Sequence, residues 1–103
     1  MRLNRTGPKN FSEMSEEIII YVGGKPVMNY CLNVSTYLEV KGNEITLKAR
    51  GRAISTAVDV ADVTRNRFMH DISYDNVQIG TEELESPEGG IWNVSTMTIV
   101  LKK

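Results

Sequence analysis

Two short stretches of the chain set cations beside glycine: Gly23-Gly24-Lys25 and Arg50-Gly51-Arg52. Glycine lets a backbone come close to a ligand. Lysine supplies a point charge, and arginine a planar fork that can hold two phosphate oxygens at once. Each stretch follows a run with strand character and precedes one with helical spacing. Each cation is therefore expected at a helix N-terminus, whose unpaired N–H groups favour anions. Phosphate is the natural ligand of such turns. Neither stretch carries the Walker A pattern or G-x-G-x-x-G, so a nucleotide pocket is not expected.

Other chemistries are poorly supplied. Cys31 is the single cysteine, which leaves no internal disulfide and suits a reducing compartment. His70 is the single histidine and has no Cys or acidic pair at metal-ligand spacing, so no zinc site is expected. No nucleophile stands beside a base, and the chain reads as a non-enzyme without a cofactor or small-molecule substrate. Glu82, Glu83, Glu85 and Glu88 read as charges that keep a hairpin soluble and its edges unpaired, rather than as a cation site.

The elements that must position the two turns are legible from periodicity. Ile18 to Val22 is β-branched and ends at Gly23-Gly24, a buried strand with a tight exit. Pro26 suits the first turn of a helix whose inner residues are Val27, Tyr30, Cys31, Val34 and Leu38, with Gly42 as its stop. Glu44 to Arg50 alternates, with Ile45, Leu47 and Ala49 on one face and Thr46, Lys48 and Arg50 on the other. A second helix follows with an inner stripe of Ile54, Ala57, Val58 and Ala61; Arg65 and Arg67 near its end favour the helix dipole. Ile72 to Glu85 and Ile91 to Leu101 read as long strands joined by Ser86-Pro87-Glu88-Gly89-Gly90, with Met97, Ile99 and Leu101 facing inward.

The order β-α-β-α-β-β predicts an α+β fold, and a right-handed crossover would make the first two strands parallel. Both glycine–cation turns would then lie on one edge of the sheet. Residues 1–16 are polar and aperiodic and read as a flexible tail, leaving 17–103 as one domain. Nothing resembles a leader or a membrane span, which predicts a cytoplasmic protein.

Charge is balanced over the 103 residues, 12 Lys+Arg against 13 Asp+Glu, but unevenly spread. Ile18 to His70 holds seven bases and four acids, whereas Asp71 to Leu101 holds six acids and no base. A chain that is acidic overall can still present a basic face, because fields act over roughly 10 Å in salt.

Gly24-Lys25-Pro26-Val27-Met28-Asn29-Tyr30, Lys48-Ala49-Arg50-Gly51-Arg52-Ala53-Ile54-Ser55, Ala57-Val58-Asp59 and Arg65-Asn66-Arg67-Phe68 resemble the Alba family of archaeal chromatin proteins, which bind DNA and RNA. The resemblance runs from about Ile18 to Lys103. It implies a two-layer fold with both helices on one face of a mixed four-stranded sheet, and a homodimer whose long β-hairpins reach along double-stranded DNA or RNA. It also implies association with the chromosome. Lys25 matches one of the family's paired binding lysines, while Tyr30, Arg50 and Arg52 match other positions on its nucleic-acid surface, with Gly24 and Gly51 in the same turns. Phe68 matches an aromatic used where neighbouring dimers meet.

Plain alternatives stand beside these roles: packing for Tyr30, a core plug for Phe68, and cover for its own hairpin for Trp92, which could instead stack on a base. The chain departs from the family pattern at two places. The lysine that usually precedes Lys25 and is regulated by acetylation is Gly24 here, and the hairpin tip, usually rich in arginine, carries four glutamates and no cation. Such an arm would suit a heterodimer with a more basic paralogue, or another protein partner, as an alternative to direct DNA contact.

Overall fold

The structure, a computed structural model, describes residues 18–103; the tail expected over 1–16 lies outside them. The elements are β1 (Ile19–Tyr21), α1 (Val27–Val40), β2 (Glu44–Arg50), α2 (Ala53–Val63), a π-helical turn over Thr64–Phe68, β3 (Ser73–Glu85) and β4 (Ile91–Lys102). The four strands form one sheet in the order β1-β2-β4-β3. β1 runs parallel to β2, with Tyr21 opposite Lys48, and the remaining pairs are antiparallel. Both helices cover the same face of this mixed sheet, as the α+β reading requires.

The core follows the two periodicities in the sequence. Cys31, Val34 and Leu38 of α1 meet Ile45 and Leu47 of β2 and Ile99 and Leu101 of β4, all buried. Met97 lies at the margin of this core, half-buried. The C-terminus ties the layers together, since Lys103 Nζ donates to the Leu38 carbonyl at 3.0 Å in the last turn of α1. Gly42 follows α1 as expected, for a steric reason: a Cβ there would come within 2.6 Å of the Tyr37 hydroxyl.

Three expectations need correction. β1 is an edge strand, half-buried and with Tyr21 exposed, because no strand pairs with its outer side. Pro26 precedes the helix as its N-cap, in an extended conformation, rather than joining its first turn. The buried line of α2 runs through Ala57, Val60 and Ala61 into Thr64, leaving Ile54 half-buried and Val58 exposed. The approach of α1 sets this rotation. Cys31 Sγ reaches the Val60 carbonyl at 3.6 Å, and small side chains at Ala57 and Ala61 let the helices pack that closely.

Pairing of β3 with β4 continues past the end of β2. The last pair of β2 is Arg50 with Thr96, beyond which Thr81–Glu85 pair with Ile91–Ser95 as a two-stranded arm. Gly89 and Gly90 close its tip at φ +89° and +104°, conformations that favour glycine. A bulge between Tyr74 and Asn76, which periodicity does not reveal, shifts β3 against β4 near the base of the hairpin.

Candidate nucleic-acid interface

Parallel pairing brings the two glycine–cation turns to one sheet edge. β1 and β2 end side by side, and the Val22 N–H donates to the Lys48 carbonyl at 2.8 Å as the chain leaves the sheet. The turn after β1 carries Gly24 and Lys25, both exposed, into α1. The turn after β2 carries Gly51 and Arg52, also exposed, into α2.

The turns are only partly closed by their own bonds: the amides of Gly23, Lys25 and Gly51 are bonded within the protein, whereas no side chain caps the first amides of α1 or α2. The Tyr30 hydroxyl accepts from the Gly23 N–H at 2.9 Å and from the Lys25 N–H at 3.3 Å. Tyr30 itself is only 6% exposed. Its ring therefore packs and cannot stack on a base; it acts through the turn, whose shape its hydroxyl fixes. Gly51 N–H donates to the Ser95 carbonyl at 2.9 Å, which fastens the second turn to β4. Anion recognition here can draw on the exposed cations and on the uncapped first amides of both helices.

Gly51 is at φ +60°, the left-handed region, and a Cβ built on it would lie 3.6 Å from Val94 Cγ1, an ordinary contact. Gly51→Ala should therefore cost only the conformational penalty, about 1–2 kcal/mol in urea unfolding, and the fold should survive. A Cβ added at Gly24 would meet nothing within 4 Å, and its φ is not positive, so any side chain fits there.

The three cations of the edge are not equivalent. Arg50 Nη1 is 2.9 Å from Glu82 Oε1, the one ion pair among the described residues. No described carboxylate lies within ion-pair distance of Lys25 or Arg52. The Glu82 partnership could not be read from the sequence, where the two residues are 32 apart and the glutamate reads as part of an acidic tip. Alternation did place Lys48 beside Arg50 on the outer face. There a groove lined by Tyr21, Lys48, Arg50, Glu82, Thr96 and Thr98 adjoins the turns.

Phe68 ends the π-helical turn partly exposed, not as a core plug. That turn is braced to β3: the Arg65 guanidinium lies 5.4 Å from the Tyr74 ring centroid, and the Tyr74 hydroxyl donates to Asp62 Oδ1 at 2.9 Å. Arg65 thus has an aromatic partner as well as a place near a helix end. Partial burial, and then the Asp62 carboxylate, hold the Tyr74 hydroxyl protonated to a higher pH than usual. His70 Nε2–H donates to the Asn66 carbonyl at 2.7 Å and so belongs to the same turn. Trp92 is exposed on the arm opposite Leu84, on the outer face that also bears Glu82. Cys31 is fully buried. Among the described residues no group of three His, Cys, Asp or Glu side chains could hold a metal ion, and no helix is long and apolar enough to cross a membrane.

The Alba family model matches residues 18–81, well over half of the chain. The chain belongs to the Alba family. It is 52% identical over 90 residues to the DNA/RNA-binding protein Alba of Methanocella arvoryzae, a match covering 87% of this chain and 94% of that one. The DNA/RNA-binding protein Alba of Thermoplasma volcanium is 48% identical over 90 residues, 87% of this chain and the whole of the relative. The solved structure of Alba from Thermoplasma volcanium superposes with a TM-score of 0.78 at 46% identity, covering 82% of this chain and 99% of that one. These relatives are named as binding proteins, not enzymes. Within the Alba frame, this chain combines an edge with one arginine already paired and a hairpin arm without cations.

Proposed function

We propose that the chain is a homodimeric DNA- or RNA-binding architectural protein that holds the phosphate backbone with little base readout. The observation that carries this reading is the placement of Lys25 and Arg52, both exposed, at the N-termini of two helices on one sheet edge. Relatives that match most of the chain and are named DNA/RNA-binding support it. Neither helix presents a polar, basic face of the kind that reads a major groove, so contacts should position the duplex rather than specify its sequence.

Dimerisation is supported by the exposed apolar residues Val77 and Ile79, which share one face of the edge strand β3. Phe68, partly exposed beyond α2, is available for contact between neighbouring dimers, and Trp92 for stacking from the arm.

The test is a salt titration of binding to matched DNA and RNA duplexes of two unrelated sequences. Six strong contacts per dimer, from Lys25, Arg50 and Arg52 of each protomer, would set a limiting slope near −5 in log K against log salt, at about −0.9 per phosphate. With Arg50 held by Glu82, a slope of about −3 to −4 is expected, equal for both sequences. A slope near zero, or affinity confined to one sequence, would overturn the reading.

A further inference from the structure

Arg50, like Arg52, has a guanidinium fork that can hold two phosphate oxygens. A carboxylate already occupies it. Glu82 Oε1 sits 2.9 Å from Nη1, and the side chains remain 56% and 49% exposed for the arginine and the glutamate, so a solvent-borne anion can reach both. The strand order makes the pair possible. Arg50 ends β2 opposite Thr96, Glu82 pairs with Val94, and the arginine reaches across β4 to the root of the arm. Glu83, the next residue, is paired with Asn93 and points to the opposite face of the sheet. The carboxylate at 82 is thus aimed at the arginine, whereas its neighbour is not.

We propose that Glu82 is an intramolecular competitor for phosphate at Arg50, a contact that must exchange before this arginine can hold nucleic acid. The inference rests on the nucleic-acid reading above and adds to it the residue that sets the affinity of the edge. An exposed ion pair is held weakly enough to exchange with a phosphodiester. The exchange leaves a bare carboxylate beside the bound backbone, so the arginine contributes little in the native chain.

The experiment is a cycle of Glu82→Gln, Arg50→Ala and the double variant, with Glu83→Gln as a control that removes equal charge from the other face. Binding to one duplex is measured across a salt series. Glu82→Gln should raise affinity by about three- to tenfold at low salt, and steepen the salt slope by about 0.9 for each arginine released. Arg50→Ala should cost about twofold in the native background and about five- to tenfold in the Glu82→Gln background. Glu83→Gln should stay within about twofold of the native chain. Equal gains from the two glutamine variants, or the same Arg50→Ala loss in both backgrounds, would overturn the proposal while leaving nucleic-acid binding intact. Absence of duplex binding by the native chain and by every variant would instead overturn the binding reading, and this inference with it.

Discussion

Replacing Lys25 and Arg52 together with alanine should lower duplex affinity by about two to three orders of magnitude at low salt and leave folding almost untouched. A unit charge about 4 Å from a phosphate is worth about 1 kcal/mol even in water-like dielectric. A dimer loses four such charges, for a total of about 3–4 kcal/mol. Screening shrinks the difference as salt rises, so the salt slope of the variant should be flatter by about 3 to 4. Both side chains are exposed and no described carboxylate pairs with them, which leaves their removal little to destabilise. The melting temperature should therefore move by no more than about two degrees. Gel-shift or anisotropy titrations, with calorimetric melts on the same samples, measure both quantities. Native-like affinity with a native-like slope would show that nucleic acid does not bind at this edge.

The contrast with Arg50 shows why charge type and position in a sequence are insufficient to rank cations. All three residues lie beside glycine at a strand-to-helix turn, and nothing in the sequence separates Arg50 from Arg52. The difference comes from strand order: β4 lies between β2 and β3, so a residue far along the chain faces Arg50 across one intervening strand. Sequence reading takes the arm's four glutamates together, as one acidic tip. The structure separates them by face, with Glu82 engaged and Glu83 turned away.

Much of the rest was legible because it is local. Strand alternation over Glu44 to Arg50 and helical spacing from Val27 to Leu38 identified the residues facing the core, although Thr46 on the other face is buried as well, and a strand run ending at glycine located each turn. The rotation of α2 was not legible. Val58 and Val60 are equally apolar, and only the approach of Cys31 to the Val60 backbone decides which is buried. Tyr30 is an intermediate case. Its helical spacing placed it on the inner stripe, but its hydroxyl binds amides five and seven residues earlier. That bond turns an apparent stacking candidate into a brace. Tyr30→Phe should accordingly cost about 1–2 kcal/mol in denaturant unfolding, because it leaves two amides without their acceptor while keeping the ring.

The largest effect on binding is expected from a residue that touches no phosphate. Ile79 is 79% exposed on the edge strand β3, where it shares a face with Val77, so it contributes little to the fold of one chain. In the proposed homodimer this face is covered by a second copy. Ile79→Asp would then bury a charge without a partner, at a cost of several kcal/mol, enough to separate protomers at micromolar concentration. Two phosphate-binding edges linked in one particle bind far more tightly than one, by about two to four orders of magnitude when both can engage together. Sedimentation should accordingly show a monomer, duplex affinity should fall by about that factor, and the far-UV spectrum should stay native. The new carboxylate also repels phosphate directly, an effect worth a few tenths of a kcal/mol that Ile79→Asn lacks. If Ile79→Asn also dissociates the dimer and loses most of the affinity, the loss comes from the interface rather than from charge. A dimer that persists in both variants would place the interface on another face of the chain.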